Sequence, residues 1–273
     1  MALLIARRRS GTIGPSGAGS IYPSGFTPPS PAAGLTRTGF DDFTSSTLSS
    51  LWSGAYNGAS AAAQTGMFLA THLVLNGDSL LRLEAYSDAG WASSYGSNST
   101  IAASVNNVCG AGCQTGTRYA VGTTFTWTCK WDTYPALTPI VLTMGNTWPP
   151  EQDLIESDVS TIGAPQTGYN SSYLYAPGPT QVQDAVSLPA GMTDFSTWHL
   201  WQLQWTLSGS TLTCDGHTIV NQSFTSPMVS GTYGLQNVQF LALQHQTGDP
   251  YNPSSTISSP VTMYFDWVAI DTP

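Results

Sequence analysis

The sequence predicts an all-β protein, a β-sandwich or jelly roll of two packed antiparallel sheets preceded by an extended N-terminal arm. Several short segments alternate apolar and polar residues with the period of two that half-buried strands show. Gly, Asp and Ser residues separate these segments, and no stretch sustains an amphipathic helix of three turns. Many short strands without helices are typical of two sheets packed against each other.

Chain length and composition favour one large β domain. A chain of 273 residues can form a single sandwich, because this class often exceeds about 200 residues as one unit. Hydrophobic residues make up 41% of the chain and charged residues only 8%. Neutral hydroxyl and amide groups must therefore cover much of the surface, as is typical of β-rich proteins on outer surfaces.

The N-terminal segment has a different composition from the rest of the chain. Residues 10–36 are dense in Ser, Gly and Pro and show neither a strand nor a helix period. This predicts an arm without regular structure. We therefore divide the chain into a basic arm, residues 1–39, and a jelly-roll domain, residues 40–273. The arm is expected to dock on a neighbouring protein subunit.

The clearest strand signals lie on either side of the dipeptide Asn76-Gly77. The segments "HLVL" and "LLRLEAY" flank this pair, which is a strong signal for a β-hairpin. In "TTFTWTCKW", Phe125, Trp127 and Cys129 alternate with threonines, as in a strand with one buried face. The later segments "WHLWQLQWTL", "TLTCDGHTIV", "LQNVQFLALQHQ" and "VTMYFDWVAI" repeat the pattern.

The charged residues are unevenly distributed along the chain, and their distribution argues against two classes of binding partner. All 16 acidic residues lie after residue 39, where only Arg82, Arg118 and Lys130 are basic. An acidic domain argues against nucleic acid or an anionic membrane as a partner, because phosphate binding needs clustered Lys and Arg. An uncharged polymer is a more suitable partner for this domain than nucleic acid or an anionic membrane.

The sequence contains no recognisable transport or membrane segment. No apolar run reaches the 18 residues that a membrane span needs. The start "MALLIARRRS" places uncharged residues before the arginines, which is the reverse of the order in a secretion signal. Because the domain resembles an outer-surface protein, we expect it to be extracellular or part of a virus particle.

Four cysteines, Cys109, Cys113, Cys129 and Cys214, permit three pairings. The tight loop "CGAGC" suggests a local bridge between the first two, which leaves a bridge between Cys129 and Cys214. The alternative is four reduced, partly buried thiols. The spacing matches no usual zinc finger, so we expect no metal site and no cofactor.

The stretch "TWPPEQDLIESD" carries the strongest functional signal. The chain has only three glutamates, Glu84, Glu151 and Glu156, and two of them are five positions apart with Asp153 between them. In a strand, Glu151 and Asp153 project to one side, whereas Glu156 would point the other way. A β-bulge between Asp153 and Glu156 would insert one residue and bring all three carboxylates to the same face.

Repulsion between neighbouring carboxylates raises the pKa of at least one of them, so near neutral pH a protonated carboxyl group lies next to an ionised one. Glycoside hydrolysis uses that pairing, with one group as nucleophile and the other as the acid that protonates the leaving oxygen. Two alternatives stay open. The same acids could bind calcium, which prefers oxygen ligands, or they could be solvated at a sheet edge.

The motif "WPPEQDLIESD" resembles the active-site strand of glycoside hydrolase family 16, the laminarinase and agarase group. "FDDF" with "LSSLW", "NGDSLLRLEA", "TRYAVGTTFTWTCKW", "STWHLWQLQWTLSGSTLTCDGHTI" and "MYFDWVAI" resemble further landmarks of that family, in the same order. The resemblance covers residues 40–273. It implies a concanavalin A-like jelly roll and activity on a polysaccharide or cell-surface glycan.

The resemblance also implies roles for individual residues. Glu151 corresponds to the nucleophile, Glu156 to the acid/base, and Asp153 to the residue that tunes their protonation. Trp148 would form part of a sugar platform, since aromatic faces pack against pyranose rings. His199 lies in the segment where the family often places a histidine facing the cleft; a satisfied core histidine is the alternative.

Other aromatic residues could contact successive sugars, although most of the nine tryptophans should be core residues. Trp131 and Trp91 are the predicted contacts. Gln152 stands where the family usually has an aliphatic residue that points into the core. A buried amide without hydrogen bonds costs about 1–3 kcal/mol, so Gln152 is expected to have partners.

The sequence thus predicts a retaining endo-acting glycoside hydrolase for a polysaccharide of the β-glucan or galactan type. The alternative is a non-catalytic or weakly active glycan-binding protein of a virus particle, a phage tail or capsid-decoration protein built on the same fold. No nucleic acid partner and no membrane span are expected.

Overall fold

The computed structural model confirms the all-β prediction. It describes residues 21–59, 67–90, 105–134, 136–145, 148–156, 169–175, 180–186, 192, 194–229, 234–246 and 255–273. Within these ranges, helix is confined to the turn Ser226–Val229 and to two short 3-10 turns. No helix there is long and apolar enough to cross a membrane.

One sheet has nine strands, ordered β16-β15-β14-β9-β18-β6-β5, with β1 paired to β18 and β7 paired to β6. Its strands are β1 (Thr36–Asp41), β5 (Leu73–Leu75), β6 (Leu81–Ser87), β7 (Val108–Cys109), β9 (Thr124–Trp131), β14 (His199–Thr206), β15 (Gly209–Cys214), β16 (His217–Ser223) and β18 (Val261–Thr272). All these pairings are antiparallel.

The second sheet has seven strands, ordered β13-β12-β11-β10-β17-β8-β2, and is also antiparallel. Its strands are β2 (Trp52–Ala55), β8 (Ala111–Thr115), β10 (Thr138–Met144), β11 (Glu151–Glu156), β12 (Tyr169–Tyr175), β13 (Thr180–Val186) and β17 (Phe240–Gln246). A separate two-stranded sheet joins β3 (Gly58–Ala59) to β4 (Met67–Phe68).

The main core is rich in aromatic side chains from the nine-stranded sheet. On β9, Phe125, Trp127 and Trp131 are fully buried in this core, as the alternating pattern predicts. Trp127 lies directly opposite Trp201 of β14, and their rings stack with centroids 6.5 Å apart. Residues from β10, β11 and β17 belong to the same cluster, so the core lies between the two sheets.

The hairpin predicted around Asn76-Gly77 is confirmed. Strands β5 and β6 pair antiparallel, and Leu75 lies opposite Leu81 at the end of the ladder. Gly77 has a φ of +74°, a conformation that glycine adopts without steric cost. The connection is longer than a two-residue turn.

The described part of the arm packs against its own domain. The indole nitrogen of Trp267 donates a hydrogen bond to the carbonyl of Phe26 at 2.9 Å, and the backbone N–H of Ser24 donates to Asp266 at 2.8 Å. Phe26 and Tyr22 pack against a small cluster that includes Trp267, on the face of the nine-stranded sheet away from the main core. Docking of the arm on a neighbouring subunit stays a prediction.

All four cysteines are free and buried, so the predicted disulfides are wrong and the alternative of reduced thiols holds. Cys129 on β9 and Cys214 on β15 are separated by β14. Two strand spacings amount to about 9.5 Å, beyond the Cα separation of about 7 Å that a disulfide can span. Cys109 packs with the β4 region, whereas Cys113 belongs to the main core.

Candidate active site

The predicted bulge is present in β11. Along β10, Val141 lies opposite Ile155, but the next residue, Leu142, lies opposite Asp153, so Leu154 has no partner of its own. The pairing with β12 shifts at the same place, between Asp153 and Glu156. The extra residue changes the parity of the strand, as the spacing of the three acids requires.

The bulge sends two consecutive apolar side chains to the same side. Leu154 and Ile155 are both fully buried in the main core between the sheets. In a regular strand, adjacent side chains point to opposite faces. After the bulge the alternation of side chains is shifted by one residue, so Glu156 points to the same face as Glu151 and Asp153.

The three acids share the other face of the seven-stranded sheet. Glu151, Asp153 and Glu156 lie opposite Met144, Leu142 and Ile140, three alternate residues of β10. Residues directly opposite each other in an antiparallel pair project to the same face. These three apolar residues pack with Phe240 and Ala242 in a cluster separate from the main core. The acids thus lie on the outer face of the sheet, as predicted.

Electrostatics within the acid group favour a retained proton. Asp153 is only 6% exposed, whereas Glu151 and Glu156 are half-buried. Burial raises the pKa of Glu151 to about 7, and the charge of Glu156 acts in the same direction. Burial, the charges of both glutamates and a hydrogen bond to Glu151 raise the pKa of Asp153 well above its ordinary value. The hydrogen bond between the two carboxyl groups lowers the pKa of Glu151 and raises that of Asp153, so it favours the proton on Asp153.

The arrangement can place a carboxylate, a proton donor and a third acidic side chain along one strip of the sheet. Glu151 accepts the hydrogen bond and is the group whose negative charge that bond stabilises. Such a set can combine nucleophilic attack with proton transfer. Whether each acid has its predicted role stays a prediction.

Further residues extend the acid-bearing face, and the sequence analysis did not identify them. Leu142 lies opposite Ala242 on β17, which in turn lies opposite Gln114 on β8. The hydroxyl of Tyr56 donates a hydrogen bond to Gln114 Oε1 at 3.0 Å. The ring of Tyr56 lies so close to Gly112 that an added Cβ would approach it to 2.6 Å. No local motif signals these residues, because strands distant in sequence bring them together.

Trp148 is the exposed aromatic residue of the predicted sugar platform. Its side chain is 51% exposed, and it lies in the loop that connects β10 to β11. The N–H of Gly145 donates a hydrogen bond to the carbonyl of Pro150 at 2.9 Å, which closes this loop just before Glu151. The position is compatible with a sugar-binding role, which stays a prediction.

The prediction that Trp131 contacts sugar is wrong. Its side chain is fully buried in the main core, and its ring stacks on Phe195 with centroids 4.2 Å apart. A tryptophan without exposed surface cannot offer a face to a pyranose ring. The other predicted contact, Trp91, lies outside the described residues.

His199 is a core histidine, and its predicted position facing the cleft is wrong. It lies on β14 of the nine-stranded sheet, opposite the buried Cys129, and is 4% exposed. Its Nδ1 is 2.8 Å from a carboxylate oxygen of Asp215, and its Nε2 is 3.1 Å from the carbonyl of Asp194. Both ring nitrogens therefore have partners, which is the alternative that the sequence left open.

The same histidine belongs to a group of side chains that could hold a metal ion. One ligand atom from each of His199, Cys214 and Asp215 lies within 4.8 Å of the others. However, the imidazole and the carboxylate are hydrogen-bonded to each other, and the second oxygen of Asp215 accepts the N–H of Leu200 at 2.8 Å. Hydrogen bonds thus satisfy this group, which connects β14 to the turn after β15.

No family model matches the chain, and no curated protein sequence matches it. Solved structures do match it over most of its length. A mixed-linkage-glucan family 16 glycoside hydrolase from Bacteroides ovatus has a TM-score of 0.67 at 18% identity, with 85% of this chain and 98% of that chain covered. The laminarinase catalytic domain of Thermotoga maritima has a TM-score of 0.66 at 20% identity, with 88% and 98% covered.

A third match is an immunostimulatory antigen and pseudo β-1,3-glucanase of Mycobacterium tuberculosis. It has a TM-score of 0.61 at 20% identity, with 88% of this chain and 100% of that chain covered. These matches confirm at the level of the fold the resemblance that the motifs indicated. The chain has the fold of family 16 glycoside hydrolase structures.

Proposed function

We propose that the chain is a retaining endo-acting glycoside hydrolase, with Glu151 as nucleophile and Glu156 as acid/base. The observation that supports this most strongly is the bulge, because it brings three acids to one face where a regular strand would separate them. A structural role alone does not account for three carboxyl groups gathered on a half-buried surface, since burying charge is unfavourable.

In the proposed reaction, the carboxylate of Glu151 attacks the anomeric carbon while the bond to the leaving oxygen breaks. The protonated carboxyl of Glu156 donates its proton to that oxygen. Glu156, now ionised, takes a proton from water, and the resulting hydroxide displaces Glu151 from the sugar. The hydrogen bond between Asp153 and Glu151 lowers the pKa of the nucleophile and so partly offsets the effect of its burial.

The proposed substrate is a polysaccharide of the β-glucan or galactan type. Two structures with the same fold are a laminarinase and a mixed-linkage-glucan enzyme, which supports the β-glucan class. The test is reducing-sugar release from β-1,3-glucan, mixed-linkage glucan, agarose, carrageenan and cell-wall glycan, with the first-formed anomer followed by NMR. Release with retained configuration is expected; release with inversion would contradict the mechanism.

A non-catalytic glycan-binding protein is the second candidate, because one structure of this fold is a pseudo β-1,3-glucanase. Binding of a glycan from the same panel without any sugar release would favour it. A location outside the cell or in a virus particle stays a prediction, and proteomics of culture medium and of purified particles would test it.

A further inference from the structure

A buried amide lies between two of the three acids of β11. Gln152 is fully buried, and its side chain points into the core, away from Glu151 and Asp153 on either side of it. Because planar peptide bonds join Gln152 directly to Glu151 and Asp153, contacts that fix Gln152 also restrict the backbone of both acids.

The amide joins the two sheets. Its Nε2 donates hydrogen bonds to Thr143 Oγ1 at 3.0 Å and to Gln239 Oε1 at 3.2 Å. Thr143 lies directly opposite Gln152 on β10. From the nine-stranded sheet, Ser210 Oγ donates to Gln152 Oε1 at 2.5 Å. Both donors and the acceptor of the amide are therefore used.

The partners of Gln152 are themselves satisfied. Thr143 Oγ1 donates to Gln239 Oε1 at 2.7 Å, and Gln239 Nε2 donates to the carbonyl of Leu235 at 2.9 Å. The indole nitrogen of Trp205 donates to the same carbonyl at 3.0 Å. A fully satisfied buried network is rigid, and any substitution within it leaves polar groups unpaired.

We propose that Gln152 is a positioning residue, which fixes β11 just before the bulge and so holds the carboxyl groups of Glu151 and Asp153 in place on the outer face of the sheet. The bulge begins immediately after Asp153, and a strand is irregular in pairing and twist at such a point. The network fixes the strand just before the bulge, from three directions. The kinetic part of this inference rests on the proposed function, whereas the part that concerns protonation does not.

The first test replaces Gln152 by the nearly isosteric methionine and follows protonation without any substrate. Protein with ¹³C-labelled Glu and Asp carboxyl groups is titrated by NMR, and the two apparent pKa values of the pair formed by Glu151 and Asp153 are measured. In Gln152→Met the two values should move closer together by about half a pH unit or more, because a looser pair interacts less.

The second readout applies once a glycan substrate is known. Gln152→Met should lower kcat about tenfold or more and leave KM within about twofold, because misplacement of the acids affects the reaction more than binding. A wild type that releases no sugar would reject the proposed function, yet the titration would still test the positioning role.

Leu212→Ala is the matched control. Leu212 is fully buried on β15, on the same inward face as Ser210, but makes no hydrogen bond through its side chain. The Leu212→Ala variant should be less stable than the wild type, whereas its kcat and the titration of its acids should be unchanged. Equal effects in both variants, or an unchanged titration in Gln152→Met, would show that Gln152 is only a core residue.

A rescue variant separates positioning from stability. Gln152→Met combined with Thr143→Val, Ser210→Ala and Gln239→Met removes the unpaired polar groups together, which should recover part of the lost stability. The pair of acids should nevertheless keep its altered titration. Recovery of the wild-type titration in this apolar variant would overturn the proposal.

Discussion

The carboxyl groups of Asp153 and Glu151, two positions apart on the same face of β11, are hydrogen-bonded to each other. Their spacing of two positions places both side chains on one face of the strand, and the bulge that follows Asp153 adds Glu156 to the same face. The pair links the sequence motif to the proposed chemistry, since this hydrogen bond favours the ionised form of Glu151 and the protonated form of Asp153.

Stability should depend on pH through this pair. Both acids bind protons more tightly in the folded protein than in the unfolded chain, so their stabilising contribution is complete at low pH. It is lost as the pH rises from the ordinary glutamate pKa of 4.5 through about 7. Melting temperatures from pH 4 to 8 should fall over this window, and less steeply in Glu151→Gln. The same slope in both proteins would contradict the assigned pKa shift.

The bulge predicts an unusual pair of stability effects. Because Leu154 and Ile155 are both in the main core, Leu154→Ala and Ile155→Ala should each cost about 2–5 kcal/mol in the free energy of unfolding. Urea denaturation measures both. A regular strand would bury only one of two adjacent side chains, so a large cost for one variant and almost none for the other would argue against the bulge.

Two tryptophans should respond in opposite ways to substitution. Trp148→Ala should weaken glycan affinity, measured by calorimetry, with little change in melting temperature, because this side chain is half-exposed. Trp131→Ala should instead cost about 3–5 kcal/mol of stability, since its ring is buried against Phe195. Unchanged affinity in Trp148→Ala would remove it from the proposed platform.

The cysteines should be reduced and inaccessible. A thiol reagent should label four groups per chain in denaturant and almost none in the folded protein, since all four are buried. Addition of dithiothreitol should leave the melting temperature unchanged. Fewer than four reactive thiols after denaturation under non-reducing conditions would restore the disulfide interpretation.

Local patterns predicted the parts of the fold that depend on neighbours in sequence. The hairpin at Asn76-Gly77 and the bulge before Glu156 follow from turn chemistry and from the parity of a strand. Both features could therefore be predicted before the strand order was known. The acids of β11 reached a common face for the same reason.

Long-range pairing decided the rest. Trp131 and Trp148 are the same residue type, but Trp131 lies on β9 in the main core, where it stacks on Phe195, whereas Trp148 lies in an exposed loop. His199 is hydrogen-bonded to Asp215 because β14 and β15 form a hairpin. Gln114 lies on the acid-bearing face because its strand, β8, pairs with β17. Spacing along the chain contains little information about such contacts.

The most direct measurement compares the wild type with Glu151→Gln for sugar release and glycan binding on the same polysaccharide. Glutamine keeps the size and hydrogen-bonding capacity of the side chain but cannot act as the nucleophile. The proposed mechanism predicts that the wild type releases sugar, and that the variant releases almost none while it binds the glycan with similar affinity. Turnover that survives in Glu151→Gln would contradict the assignment of Glu151 as nucleophile.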